Sequence, residues 1–105
     1  MLDNINDKLE NIIKSNPIVL FMKGEQSTPM CGFSATVVGI LNHLNIEFES
    51  INVLSDDSIR EGIKQYSKWP TIPQLYVNGE FIGGCDIITE MFENGELQEL
   101  LTTTK

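Results

Sequence analysis

Several features that would put a chain in a special structural class are missing from this sequence. Its longest unbroken apolar run is Ile18 to Met22, far short of the roughly 20 residues that a helix needs to cross a bilayer. It has no low-complexity segment, internal repeat or linker, which excludes a disordered, collagen-like or coiled-coil protein. A length of 105 residues fits one domain. We therefore expect a single soluble domain over residues 1–105, with no membrane contact.

Basic side chains are also scarce, with 7 Lys and Arg against 15 Asp and Glu and a formal net charge of −8. Because so acidic a protein repels phosphate backbones, nucleic acid is not expected as a direct partner. The first 15 residues have neither the basic and apolar pattern of a secretory signal nor the Arg-rich, acid-poor face of a transit peptide. We therefore expect a cytoplasmic protein in a reducing environment.

Cysteine and histidine are few. Cys31 and Cys85 are too far apart for a local metal knuckle, and two cysteines make no disulfide framework. His43 has no second histidine with which to share a metal, so we expect it on a helix surface. In a reducing compartment, a thiol more often binds a metal or acts in catalysis than serves a structural role.

Hydrophobic periodicity predicts the element order α-β-α-β-α-β-β-α-α. Thr28 and Pro29 have the pattern of an N-cap followed by the first helical residue, and Asn78-Gly79 is a strong hairpin turn. A strand–helix–strand crossover makes a parallel pair, and the hairpin adds antiparallel strands. We expect an α/β fold with one mixed four-stranded sheet flanked by helices. The predicted helices cover 3–15, 28–44, 56–66, 87–92 and 96–101, and the predicted strands cover 18–22, 48–53, 74–77 and 80–82.

Cys31 lies where the first strand has ended and the second helix begins. The unpaired N–H groups and the positive end of the dipole at a helix start both stabilise a thiolate. Lys23, at the exit of the first strand, adds a positive charge to the same edge. The alternative is a buried structural cysteine, but Pro29 and Gly32 place Cys31 in a surface turn. We predict a reactive thiol.

Ser34 stands where a C-x-x-C redox motif would have its second thiol. Thiol–disulfide exchange needs a second thiol to resolve the mixed disulfide, and a hydroxyl cannot supply it. Three alternatives follow: Cys85 resolves at long range, an external thiol does, or disulfide exchange is not the main activity. The residues themselves leave these three open.

Three motifs together resemble one family. Cys-Gly-Phe-Ser at 31–34, Trp-Pro-Thr-Ile-Pro at 69–73 and Gly-Gly-Cys-Asp at 83–86 are similar to the motifs of the monothiol glutaredoxins of the CGFS type. Each motif is weak by itself, but their order and spacing make the combination specific. The resemblance runs along the whole chain and implies a thioredoxin-like fold in a single glutaredoxin domain, as in bacterial or organellar members.

The resemblance implies a groove for glutathione beside Cys31. Lys23 and Arg60 match the cations that pair with the glycine carboxylate of glutathione. Without the family resemblance, we would interpret Arg60 as a solvent-exposed charge on a helix. Fixed cations on an otherwise acidic protein suit an anionic tripeptide. Gln26 and Met30 depart from the family pattern, and we expect them to loosen the loop before Cys31.

The other side of the implied groove is formed by the second and third motifs. Ile72 matches the residue whose backbone pairs in strand fashion with the glutathione cysteine, and Pro73 matches a cis-proline facing Cys31. Cys85 and Asp86 match a helix start that holds the γ-glutamyl end through N–H groups and a carboxylate. We expect Trp69 to serve core packing more than the groove wall.

The family function implied is binding and transfer of a [2Fe–2S] cluster. Such a cluster takes four cysteine-type ligands, and the family supplies them as Cys31 from two chains and the thiols of two glutathiones. A cluster-bound homodimer follows, with BolA-like proteins and iron–sulfur apo-proteins as partners. The alternative is a weak glutathione-dependent oxidoreductase that removes glutathione from thiols. A third reading, a peptide-binding module without chemistry, is disfavoured by Cys31 at a helix start.

Overall fold

The computed structural model describes residues 2–102, and side chains from Ile5 onward. No helix in that part of the chain is long and apolar enough to cross a membrane. In these residues, five α-helices and four strands follow in the order predicted from the sequence, and one 3₁₀ turn that was not predicted lies between the second strand and the third helix. They are α1 (Leu2–Ser15), β1 (Ile18–Met22), α2 (Gly32–His43), β2 (Glu49–Asn52), the 3₁₀ turn (Val53–Ser55), α3 (Asp57–Ser67), β3 (Gln74–Val77), β4 (Glu80–Gly83), α4 (Cys85–Glu93) and α5 (Glu96–Thr102).

The four strands form one mixed sheet in the order β2-β1-β3-β4. β1 pairs in parallel with β2, and β3 is antiparallel to both β1 and β4. The turn between β3 and β4 is the predicted Asn78-Gly79, where both residues have positive φ values, 52° and 83°, as a two-residue hairpin turn requires. The predicted α/β class and the mixed four-stranded sheet are confirmed.

Helices cover both faces of the sheet, and β1 lies in the middle. All five of its residues are buried, as expected for a strand with two covered faces. Ile18, Leu20 and Met22 join the core beneath α2, α4 and α5. Val19 and Phe21 point the other way, into the core beneath α1 and α3. This three-layer packing fixes the carboxyl end of β1, where Lys23 and the segment leading to Cys31 begin.

The second helix begins later than the sequence predicted. Its N-cap is Cys31 rather than Thr28, and its first residue is Gly32. The main-chain N–H of Met30 donates to the Lys23 carbonyl at 2.9 Å, and Pro29 forms an isolated bridge with Gly24. The segment between β1 and α2 therefore folds back on itself as a closed loop, and these backbone contacts keep Thr28 and Pro29 out of the helix.

Candidate functional site

Cys31 is a free, half-buried thiol at the N-cap of α2. The main-chain N–H of Ser34 is the largest cause that lowers the pKa of Cys31, and the N–H of Phe33, the Lys23 ammonium and the Ser34 hydroxyl lower it further. Partial burial opposes them, but the net direction is downward. The Cys31 sulfur makes no cap hydrogen bond of full geometry, so the helix acts on it mainly through oriented N–H dipoles. This direction agrees with the reactive thiol predicted from the sequence, and the reactivity of Cys31 stays a prediction.

Ser34 has no exposed surface, although it stands in the position of a second redox thiol. Its hydroxyl oxygen accepts a hydrogen bond from the Lys23 N–H at 3.1 Å. The same hydroxyl also acts on the Cys31 sulfur and lowers the pKa of that thiol. Ser34 therefore ties the end of β1 to the first turn of α2 and leaves Cys31 as the one thiol of the motif.

An open groove of about 430 Å³ runs alongside Cys31. Lys23, Phe33 and Lys64 contribute side chains to it. The other walls are the loop 69–73 and the segment 84–87 at the start of α4. Cys31 and Cys85 both line the groove, and two lysines give it local positive charge on an acidic protein.

Six of the seven predicted site residues line this groove: Cys31, Lys23, Ile72, Pro73, Cys85 and Asp86. The seventh, Arg60, is not among its lining residues, and its Nε lies 3.4 Å from Oε2 of Glu61. Lys64 lines the groove instead. Sequence reasoning missed this residue, although Lys64 follows Arg60 by four positions and so shares its helix face.

The loop 69–73 forms one wall. Its Ile72–Pro73 peptide bond is cis, as the family resemblance implied. The N–H and C=O of Ile72 make no hydrogen bond to any residue in the described range 2–102. Trp69 serves both packing and the wall, because its ring lies 5.8 Å from that of Phe81 and it also lines the groove. The expectation that Trp69 serves mainly core packing is therefore only half right.

The start of α4 forms another wall of the groove, close to the 69–73 loop. Gly84 is the N-cap, and Cys85 and Asp86 are the first two residues of the helix. A Cβ atom on Gly84 would lie 3.2 Å from the Pro73 carbonyl oxygen and 3.3 Å from Nε1 of Trp69. Glycine therefore lets the helix start approach the loop closely, and the unpaired N–H groups of its first turn lie at the groove.

The loop between β1 and α2 is anchored to the edge of the sheet by two amide side chains. Oδ1 of Asn52 accepts hydrogen bonds from the N–H groups of Gly24 at 3.0 Å and Leu54 at 2.9 Å. Nε2 of Gln26 donates to the Phe48 carbonyl at 3.1 Å and also contacts the Ser50 hydroxyl. The expectation that Gln26 loosens this loop is wrong, because its amide holds the loop against β2.

Met30 and His43 lie on the surface. Met30, which flanks Cys31, is 71% exposed, and Phe33 on the other side is 62% exposed. His43 is an exposed residue at the end of α2, as predicted, with its ring edge-on to Phe92 at 5.6 Å. Within the described residues, no group of three or more His, Cys, Asp or Glu side chains could hold a metal ion.

The fold and the groove together define a class: a thioredoxin-like protein with one thiol at the helix start where a C-x-x-C protein has two. The glutaredoxin family model matches residues 18–82. A protein of Rickettsia typhi named "Probable monothiol glutaredoxin 2" is 58% identical over 102 residues, which cover 96% of this chain and 92% of that protein. This chain belongs to the glutaredoxin family, among its monothiol members.

Solved structures agree with this assignment. The solution structure of reduced poplar apo GrxS14 is 52% identical in sequence, with a TM-score of 0.82 over 94% of this chain and 91% of that chain. The crystal structure of a buckwheat glutaredoxin–glutathione complex is 28% identical, with a TM-score of 0.86 over 97% of this chain and 91% of the other. The thioredoxin-like glutaredoxin fold is thereby confirmed.

Proposed function

We propose that this protein binds a [2Fe–2S] cluster with the help of glutathione and transfers it to iron–sulfur apo-proteins. The observation that carries the proposal is the half-buried Cys31 thiol at the start of α2, in a groove that Lys23, Lys64 and the start of α4 also line. Such a groove suits a small anionic thiol compound whose sulfur would lie beside Cys31.

Ligand counting supports a shared cluster. A [2Fe–2S] cluster takes four cysteine-type ligands, whereas the chain has two cysteines and one histidine. Both cysteines are half-buried and line the groove. Cys31 is the N-cap of α2 and has a lowered pKa, whereas the Cys85 sulfur lies 4.0 Å from the Thr89 hydroxyl. We therefore assign the Cys31 thiolates of two chains as two of the four cluster ligands. The thiolates of two glutathione molecules are the other two.

The groove has a complementary group for each part of glutathione. Lys23 and Lys64 provide cations for the glycine carboxylate, and the unpaired backbone of Ile72 can bond the peptide in strand fashion. The N–H groups at the start of α4 and the carboxylate of Asp86 suit the γ-glutamyl end, which carries both charges. The related buckwheat protein was solved as a glutaredoxin–glutathione complex, and we propose the same ligand here.

The surface around Cys31 supports the proposal that partners dock there. Met30 and Phe33 expose most of their apolar side chains on either side of this thiol, and a second copy of the chain would cover them in a cluster-bound homodimer. From the family resemblance we propose BolA-like proteins as alternative partners and a cytoplasmic location.

Anaerobic reconstitution with iron and sulfide tests the proposal, with iron per chain and oligomer mass measured together. We expect a dimeric [2Fe–2S] species only when glutathione is present. Cys31→Ser should abolish the cluster, because a hydroxyl is a poor iron ligand, and Cys85→Ser should retain it. Lys23→Ala should weaken cluster binding, with partial rescue by excess glutathione. A glutathione-independent cluster, or one lost equally in Cys85→Ser, would overturn the ligand assignment.

Deglutathionylation is the second candidate, and the lowered pKa of Cys31 favours it. The Cys31 thiolate would attack the glutathione sulfur of a mixed disulfide, expel the client as a thiolate and form a Cys31–glutathione disulfide. A second glutathione would then release reduced Cys31 and glutathione disulfide. Turnover of a glutathionylated peptide with free glutathione distinguishes the two functions, because only this one predicts multiple turnovers without iron.

A further inference from the structure

Gln74 is a buried polar residue that the proposed function does not use. Among the described side chains it shares full burial with one other polar residue, Ser34. Gln74 begins β3 immediately after Pro73 and lies opposite Phe21 in the sheet. A buried carboxamide is costly unless its polar atoms are paired, so its partners indicate what it is for.

The amide group of Gln74 is directed at the loop that forms one wall of the groove. Its Nε2 donates to the carbonyl oxygens of Trp69 and Thr71, both at 3.1 Å. Both N–H bonds of the carboxamide are therefore used on one five-residue loop, whose members 69–73 all line the groove. With these two carbonyls turned inward, the loop can present the backbone of Ile72 without a partner of its own.

Tyr76 supports the carboxamide from behind. Its hydroxyl donates to Oε1 of Gln74 at 3.1 Å, and burial raises the pKa of Tyr76 to about 12, so the phenol keeps its proton near neutral pH. The ring is held in turn by contacts with Phe21 at 5.6 Å and Phe81 at 5.4 Å. This arrangement fixes which atom of Gln74 faces the loop, because Oε1 is taken by a donor and Nε2 must face the carbonyls.

We infer that Gln74 is a positioning residue for ligand binding: its carboxamide sets the shape of the 69–73 wall, and Tyr76 sets the orientation of the carboxamide. The inference rests on the proposed glutathione site. A purely structural role predicts that substitution affects affinity only as far as it affects folding. A positioning role predicts that affinity falls even when the protein remains folded, because two loop carbonyls lose their donors.

The test compares variants that lose different parts of this network. Gln74→Met keeps the length of the side chain without hydrogen-bonding groups, and Gln74→Glu keeps its volume but presents oxygen where Nε2 was. Tyr76→Phe removes the supporting hydroxyl and leaves both loop contacts. Leu97→Ala, a fully buried position in α5 away from the groove, is the control for lost stability alone. Glutathione affinity by calorimetry, melting temperature and the emission of Trp69, the one tryptophan of the chain, are measured for each.

We expect Gln74→Met and Gln74→Glu to bind glutathione at least ~5-fold more weakly than the parent, given two lost hydrogen bonds of ordinary strength. Both should shift the Trp69 emission without ligand, whereas the pH midpoint for Cys31 alkylation should not move. Tyr76→Phe should melt earlier and weaken glutathione binding by ~2- to 3-fold, less than the Gln74 variants, because the carboxamide loses the hydroxyl that orients it but keeps both loop contacts. Leu97→Ala should melt earlier but stay within ~2-fold in affinity at temperatures where it is folded. If one Gln74 variant fails to fold, the other carries the comparison.

Parent-like affinity in a folded Gln74 variant would overturn the inference, and so would an equal loss of affinity in Leu97→Ala. The Trp69 emission measured without ligand distinguishes a failure of this inference from a failure of the proposed function. Absence of glutathione binding by the parent protein would refute the glutathione site, whereas a Trp69 emission unchanged in both Gln74 variants would refute the positioning role.

Discussion

The main-chain N–H of Lys23 donates a 3.1 Å hydrogen bond to the Ser34 hydroxyl. This contact joins the last strand residues to the first helical turn and spans the loop that carries Cys31. A serine therefore supports the site in a position where related motifs carry a thiol. Its hydroxyl accepts a hydrogen bond from the backbone after β1 and also lowers the pKa of Cys31.

Replacing Ser34 by Ala should raise the pKa of Cys31, because the hydroxyl that stabilises the thiolate is lost. The pKa should stay below that of an ordinary cysteine, because the largest cause of the shift is the main-chain N–H of residue 34, which alanine keeps. Iodoacetamide alkylation rates measured against pH give the midpoint. Thr36→Ala is the control, since its hydroxyl on the same helix bonds the Gly32 carbonyl instead. A midpoint that does not rise in the Ser34 variant would contradict the assignment.

Two glycines near Cys31 should respond oppositely to alanine. At Gly24, φ is +93° and a Cβ would lie 2.6 Å from the Met30 nitrogen, so Gly24→Ala should destabilise the protein by more than about 1 kcal/mol. At Gly32, a Cβ meets nothing within 4 Å, and Ala in this helix should be neutral or stabilising by up to about 1 kcal/mol. Urea unfolding measures both, and similar losses would show that the closed loop is not constrained as described.

The two cations of α3 should differ in their importance for glutathione. Lys64 lines the groove, whereas Arg60 pairs with Glu61 outside it. Lys64→Ala should weaken binding roughly 3- to 10-fold at low ionic strength, and added salt should reduce the difference. Arg60→Ala should have a smaller effect. Calorimetric titration tests this, with Lys14→Ala as a charge-matched control in α1, and a larger loss in the Arg60 variant would restore the family assignment.

Acid should weaken the start of α3 through Asp56. Its carboxylate is the N-cap, accepts hydrogen bonds from the Ser58 hydroxyl and N–H, and has a lowered pKa for that reason, the hydroxyl contributing most. Because the folded-state pKa lies below the unfolded-state value, this contribution is complete above the unfolded-state pKa and is lost as pH falls through the folded-state pKa.

Asp56→Asn keeps a good cap without the titration. Urea unfolding over an acidic pH series should therefore give a shallower decline of stability for this variant than for the parent. A parallel decline in the two proteins would show that other carboxylates dominate acid sensitivity.

The sequence predicted the order of elements because the longer helices repeat apolar residues at helical spacing, β1 is a continuous apolar run, and the Asn78-Gly79 turn is specific. It misplaced the start of α2, since the Thr28-Pro29 pattern is local and the backbone contact between Met30 and Lys23 is not. Lys64 was missed because it lies one turn after Arg60 on the same helix face, and the turn of α3 that reaches the groove depends on how the helix packs. The sequence did not predict the partners of Gln74 either, because only the course of the 69–73 loop brings the two acceptor carbonyls next to its side chain.

The amide of Gln26 also has a consequence for how the edge of the sheet meets other chains. β2 is an edge strand, and an open edge invites pairing between molecules and aggregation. Gln26 occupies the Phe48 carbonyl just before β2 and contacts the Ser50 hydroxyl, so we expect it to hinder the approach of a foreign strand at the start of this edge. We therefore expect a substitution of Gln26 to lower the colloidal stability of the protein, first in concentrated solution.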